Sequence, residues 1–306
     1  MTTPNQPRRY VMRPNEQTFA PPYIQAGCAL HGFALPAERA RMQRVVDRFL
    51  AEPTRGKLRP QVAADHVLLY WCDFDRSHSL DPDDAQRGWL GERECGLWIP
   101  IRMPERSAPS FFVHAMFVDS GPAMCSGREV LGFPKEIGLV GVSRDPDRAS
   151  TLALDVLAMG EGRTQAGAWR SLIELERLES NASVPSPWSD LASLLGTQAQ
   201  GEEGVVQTGI RAAIRASAAR AEFVNLKQFR SAADSTRACY QAVLRTRARV
   251  LGLHRISATA AYAYRIHALA SHPLCEELGL PASGRTRGVF CEFDFDLDHL
   301  DSQELA

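Results

Sequence analysis

Lys135 stands in the stretch GREVLGFPKEIG, residues 127–138, directly after Phe133-Pro134 and amid apolar residues. An ammonium is costly to bury, so a lysine in such company either reaches water at the end of a strand or is held dry. Dryness gives it a chemical use. With a reference pKa of ~10.4 an exposed lysine is almost wholly ammonium at neutral pH, whereas full desolvation lowers that pKa by up to ~3 to 5 units and frees a lone pair to attack a carbonyl carbon. Leu131, Phe133 and Ile137 are the apolar neighbours expected to exclude water. Glu136, next in the chain, would favour the ammonium if it lay close; consecutive strand residues point to opposite faces, so the two side chains are expected to diverge.

Other chemistries find little support. Gly127 and Gly132 have the spacing of phosphate-loop glycines, but Phe133-Pro134-Lys135-Glu136 follows where Gly-Lys-Ser/Thr is needed. Neither a Gly-x-Ser-x-Gly elbow nor a Gly-x-Gly-x-x-Gly turn occurs. The eight histidines lack metal-ligand spacing, and the seven cysteines are scattered without a Cys-x-x-Cys pair. Reduced, mostly buried thiols are expected, with no metal site. Asn181-Ala-Ser183 matches a glycosylation acceptor but is read as chance. Net charge is -1 without a basic run, which argues against nucleic acid. The N-terminus is polar and no stretch approaches the ~20 apolar residues of a membrane span, so a soluble cytoplasmic protein is expected.

The elements that must position Lys135 are legible in outline. Residues 1–22 read as an arm over the surface or over a partner subunit, and residues 23–306 as a single domain. Within PAERARMQRVVDRFLAEP, Met42, Val45, Val46, Phe49 and Leu50 recur at helical spacing, and Pro53 ends the helix. From residue 62 the period changes. VAADHVLLYWCDF, ECGLWIPIRM, SFFVHAMFVDS, STLALDVLAMG and SLIELERL are short and apolar or alternating, the pattern of strands joined by turns. Pairing is expected to be mainly antiparallel, because the intervening segments rarely offer long helical crossovers. Residues 77–89 read as an exposed loop, and residues 184–204 as flexible sequence with a short helix around Leu191 to Leu195. The last third reads as strand and helix in alternation, FVNLKQFRSAAD leading into TRACYQAVLRTRARVLGLHRISA, with SHPLCEELGL a short helix and GVFCEFDFDLD a closing strand. One α+β fold on a curled sheet follows.

Three segments together resemble the acetoacetate decarboxylase family. GREVLGFPKEIG, preceded by HAMFVDSGPAMCS, is similar to the family signature, in which Gly-Arg-Glu leads through an aromatic and a proline to the lysine that forms a Schiff base. ECGLWIPI, residues 94–101, resembles a Glu-x-x-Leu-x-Ile-Pro strand of the family, and NLKQFRSAADSTRACYQAVL, residues 225–244, its C-terminal region. The resemblance covers much of residues 90–300. It implies a curled, mainly antiparallel sheet, cone- or barrel-like, around a dry pocket with peripheral helices, and a homo-oligomer that needs no cofactor. Lys135 would be nucleophile and electron sink, Glu94 would manage protons, and Met116 and Phe133 would be apolar walls. Arg128 would touch substrate or, with Glu129, form an ion pair or bind backbone; Lys227 reads as solvated or structural.

Two departures matter. Relatives that decarboxylate acetoacetate follow the lysine with a second one, a long-known device for lowering the pKa of the first; here Glu136 stands there. They also place an arginine on an early strand to recognise the substrate carboxylate, where ALHGFALPAERARM offers His31 and no arginine before Arg39. The expected function is a lyase that decarboxylates a small or medium β-keto acid through a lysine imine. The alternatives are an aldolase or dehydratase using the same imine, or a small-molecule binder without turnover.

Overall fold

Apolar residues at period two, rich in β-branched and aromatic types, set most of the chain into strands. The computed structural model describes residues 10–104, 110–160, 165–179, 184 and 221–305, with backbone alone over 298–303. Among the described residues one sheet contains β1 (Tyr23–Pro36), β2 (Gln61–Val62), β3 (His66–Ser79), β4 (Leu90–Arg102), β5 (Ser110–Val118), β6 (Lys135–Gly141), β7 (Thr151–Ala158), β8 (Ala168–Arg177), β9 (Ala221–Arg230), β10 (Ala238–Ile266) and β11 (Ser283–Glu304). Its order is β2-β4-β3-β1-β11-β10-β8-β7-β6-β5-β9, and the further pairings β4–β5 and β10–β9 curl it into a ring. Pairing is antiparallel except for β5 with β6 and β5 with β9. The expected curled, mainly antiparallel α+β fold is what forms.

The 29-residue β10 departs from the alternation of strand and helix expected in the last third. Its helix-forming alanines and arginines are overridden because the strand is paired on both edges, to β11 along its length and to β9 and then β8 on the other side. Leu244, Thr246 and Ala248 are buried, while the intervening Arg245 and Arg247 are less so. The predicted short helix does form, as Leu274–Leu278.

Helix α1 (Arg39–Val46) runs into a π-helical turn, Asp47–Ala51, and buries Met42, Val45, Val46 and Leu50. Each such side chain contributes about 1.5 to 3 kcal/mol when fully removed from water. Helix α2 (Gly121–Ser126) begins with Ser120 Oγ accepting from Ala123 N at 3.4 Å and passes into a second π-helical turn, Gly127–Leu131. The loop expected over 77–89 is partly strand, since β3 persists to Ser79, and then holds a 3₁₀ turn at Ala85–Arg87. At the end of the N-terminal segment Phe19 N donates to Ser126 Oγ at 2.9 Å and Ala20 N to Asp84 Oδ2 at 2.6 Å, whereas Tyr10, Val11 and Met12 are exposed. Asn181 and the helix expected around Leu191 lie outside the described residues. No helix among the described residues is long and apolar enough to cross a membrane.

Strands β3 and β4 are buried on both faces. Val67, Leu69, Trp71, Cys95, Leu97 and Ile99 belong to a packed core shared with α1, β7 and β8. The alternate residues Tyr70, Cys72, Phe74 and Trp98 belong to a second cluster that surrounds a hollow.

Candidate active site

Lys135 opens β6, where its neighbour in β5 is Met116; Met116 pairs in turn with Gly96 of β4, and Gly96 with Tyr70 of β3. One row across four strands therefore presents Lys135, Met116, a gap and Tyr70 to the hollow. The gap is needed: a Cβ on Gly96 would come within 2.7 Å of the Tyr70 ring. Two residues earlier on the same face stands Glu94, and two before that Glu92, because side chains along a strand alternate. Lys135 is 7% exposed, and Glu92 and Glu94 are 5% exposed each.

The turn before Lys135 is fixed by backbone and side chain. Phe133 N donates to Gly127 O at 3.0 Å, Lys135 N to Phe133 O at 2.8 Å, and Arg128 Nη1 to Lys135 O at 2.9 Å. A Cβ on Gly127 would lie 2.6 Å from Lys135 Cδ and 2.9 Å from Cε, so the glycine that opens the signature leaves the channel through which the lysine stem runs.

Lys135 Nζ lies 2.8 Å from Glu94 Oε2 and 3.9 Å from Glu92 Oε1. The Tyr70 hydroxyl donates to the other Glu94 oxygen. Burial by itself pushes the lysine pKa down, as dryness predicts, but attraction to Glu92 and Glu94 and the hydrogen bond to Glu94 outweigh it, and the pKa is raised. This corrects the expectation of a depressed value: at rest the group is an ammonium. Burial pushes Glu92 up to about 7, helped by repulsion from Glu94 and Asp119 and opposed by Lys135. Burial, then the Glu94 charge, pushes the Tyr70 phenol well above its ordinary range.

Of the residues expected at the site, Lys135, Glu94, Met116 and Phe133 line one cavity of about 250 Å³. Arg128 does not. It faces outward and binds Glu136 Oε1 at 2.6 Å, so its contacts are with the turn's backbone and with Glu136 rather than with Glu129 or the cavity. Glu136 is exposed and diverges from Lys135, as alternation requires. Ile137, expected to help exclude water, is 36% exposed. His31 is buried, with Nε2 2.8 Å from Ser143 O, and lines neither hollow at the lysine. Arg39 binds Asp65 and Val62 O at the surface. Lys227 is half-buried outside the cavity, its pKa lowered by burial.

Sequence reasoning missed Glu92, Tyr70 and Gln25. Glu92 carried a usable signal, since Glu92-x-Glu94-x-Gly96-x-Trp98 places two carboxylates on the apolar face of one strand. Tyr70 and Gln25 come from β3 and β1 and had none. Among the described residues no group of three or more His, Cys, Asp or Glu is placed to hold a metal ion. Chemically, the arrangement offers an amine, an acceptor for its proton at hydrogen-bond distance and a second carboxyl group that titrates near neutrality, all beside an apolar hollow.

A sequence model of the acetoacetate decarboxylase family matches residues 8–161, which include Lys135, Glu94 and Glu92. The acetoacetate decarboxylase of Acidiphilium cryptum (strain JF-5) is 36% identical over 78 residues, a match that spans 26% of this chain and 28% of that relative's own length. Among solved structures, acetoacetate decarboxylase from Legionella pneumophila subsp. pneumophila str. Philadelphia 1 superposes with a TM-score of 0.58 at 14% identity, covering 97% of this chain and 92% of that one. The enduracididine biosynthesis enzyme MppR, complexed with the condensation product of pyruvate and imidazole 4-carboxaldehyde, superposes with a TM-score of 0.52 at 12% identity, covering 96% and 92%. At such identities the likeness to these structures is one of fold.

Proposed function

The chain belongs to the acetoacetate decarboxylase family, and from that premise we propose that it is a carbon–carbon lyase that decarboxylates a β-keto acid through an imine on Lys135. The observation that carries the reading is the 2.8 Å contact between Lys135 Nζ and Glu94 Oε2 at the wall of an apolar cavity. An ammonium cannot attack a carbonyl, so the raised pKa of Lys135 is resolved by transfer rather than by release to water. Glu94 takes the ammonium proton as substrate enters, and a neutral amine faces a neutral carboxylic acid, a pair that a water-poor site tolerates better than it tolerates separated charges.

The amine adds to the ketone carbon; the resulting hydroxyl takes a proton from Glu94 and leaves as water, giving the protonated imine. Cleavage of the bond to the carboxylate carbon releases carbon dioxide and sends the electron pair into the imine nitrogen, leaving an enamine. Glu92, protonated below about pH 7, returns a proton to carbon. Water then hydrolyses the imine, freeing ketone and amine. Met116 and Phe133 keep bulk water from these steps, and Tyr70 orients Glu94 through its second oxygen.

A second reading keeps the imine and changes its fate. The structure of MppR holds a condensation product of pyruvate with an aldehyde, and an enamine on Lys135 would add to an aldehyde in the same sense. Borohydride reduction with acetoacetate and with pyruvate, followed by peptide mapping, should leave a permanent adduct on Lys135 that Lys135→Met lacks. Carbon dioxide release then separates decarboxylation from aldol chemistry. Absence of an adduct from every keto acid tried would refute both.

A further inference from the structure

Two hollows meet at Lys135. The inner one, about 250 Å³, is walled by Leu30, Leu68, Trp98, Phe223, Leu253 and Phe293. The outer one, about 120 Å³, is reached past Ser77, His78, Arg87, Trp89 and Ser126. Gln25, Glu92, Phe133, Lys135 and Leu297 line both and form the neck between them.

The two ends differ in what they accept. Beyond the neck the inner chamber is walled by hydrocarbon and aromatic rings, with the Glu94–Tyr70 pair and the thiols Cys72 and Cys291 the polar exceptions; a carboxylate placed there would be desolvated beside Glu94 with no cation beyond the neck to pair with. The outer hollow contains Arg87, among the described residues the only lysine or arginine besides Lys135 lining either space. Its guanidinium is set by Asp84 Oδ1 at 3.0 Å, by the carbonyl of Glu16, and by the Phe19 ring with the centroid 4.2 Å away. Charge at one end and hydrocarbon at the other orient a keto acid with its carbonyl at the amine. Acetoacetate would put a single methyl group into the chamber. A dry apolar cavity of ~150 Å³ holds a six-carbon ring, so this chamber takes roughly ten non-hydrogen atoms.

We infer that the substrate is a β-keto acid bearing an apolar chain of about ten non-hydrogen atoms, its chain in the inner chamber and its carboxylate on the Arg87 side of the neck. This rests on the imine reading and adds the substrate class to it. Borohydride trapping with the full chain across straight-chain 3-oxo acids, from acetoacetate to 3-oxotetradecanoate, tests it. The adduct on Lys135 should form at least about tenfold faster with 3-oxododecanoate than with acetoacetate. Leu253→Trp and, separately, Val250→Phe, at a second residue of the chamber wall, should lower that ratio about tenfold. Calorimetry with dodecanoate and butyrate, which have no ketone, tests the chamber without the chemistry. Dodecanoate should bind and butyrate should not, and Leu253→Trp should weaken the former. If adducts form and acetoacetate is trapped as fast as the long acid, the inference fails and the imine reading stands. Should no acid be trapped while dodecanoate binds as described, the imine reading fails and the chamber's preference stands. Failure of dodecanoate to bind overturns the inference by itself.

Discussion

Leu69, Trp71, Leu97 and Ile99 of β3 and β4 are fully buried in a packed core, whereas Leu68, Tyr70, Glu94 and Trp98, on the reverse of the same two strands, line a hollow. Shared backbone thus carries two opposed environments. The packed face gives the strands their rigidity, through dispersion and exclusion of water at near-crystalline density. The hollow face uses that rigidity to hold an ammonium and two carboxyl groups together where the chain gains little stability from them, since desolvation offsets most of the attraction in a buried ion pair. A site held to fractions of an ångström needs such a backing.

The largest expected effect is on the hollow side. Lys135→Met should abolish borohydride trapping altogether, and it should leave Glu92 and Glu94 without their counter-charge. The folded pKa of Glu92 would then rise further, the native state would hold its proton to higher pH, and the stability lost relative to wild type should be greater at pH 8 than at pH 5. Denaturant titrations at the two pH values check the sign.

Leu68 and Leu69 sharpen the comparison further, being the same side chain one residue apart on opposite faces. Leu69→Ala should cost about 3 kcal/mol, transfer plus cavity, whereas Leu68→Ala, which enlarges a hollow already present, should cost about 1 kcal/mol. Equal costs in urea unfolding would break the distinction between a packed and a hollow face.

Glu92 supplies a pH dependence. Below about pH 7 it is protonated, and Lys135 with Glu94 leaves the site near neutral; above that it carries a negative charge that repels a keto acid. Trapping of a keto acid should therefore fall above pH 7, by up to about tenfold per pH unit, and trapping of an uncharged ketone should fall less. Glu92→Gln should flatten the difference. The same group, with a folded pKa above its unfolded value of about 4.3, makes the native protein lose stability as pH rises between those values.

The smallest effect belongs to Arg128. Its ion pair with Glu136 is half-exposed on one side and more so on the other, so Arg128→Ala should cost under about 1 kcal/mol, with trapping slowed only through the loosened turn at Lys135 O. A loss as deep as that of Lys135→Met would mean that Arg128 meets substrate after all.

Much of this was legible in the chain. The segments from VAADHVLLYWCDF to SLIELERL became β3, β4, β5, β7 and β8, and the helical spacing of Met42, Val46 and Leu50 became α1. Lys135 and Phe133 share one short segment whose local pattern left the lysine either dry or at a wet strand end, and both side chains are buried. Met116 shows where such reading stops. His114 has no opposite number in β4, a bulge that reverses the alternation, so Phe112 faces the packed core and Met116 the hollow although they are four positions apart. Arg87 lay in a stretch read as an exposed loop, and nothing in its neighbours marks it as lining the outer hollow.

By itself the amino-acid sequence determined that Glu136 would turn away from Lys135, because period-two alternation acts over a few residues, and it narrowed Lys135 to a solvated strand end or a dry site; its burial was decided by the strands around it. The charge that Lys135 carries was decided by tertiary structure alone. Apolar surroundings lower an amine's pKa, but Coulomb attraction depends on distance through space, and Glu92 and Glu94, some forty residues earlier in the chain, come within 4 Å of the amine only when β4, β5 and β6 pair in this register.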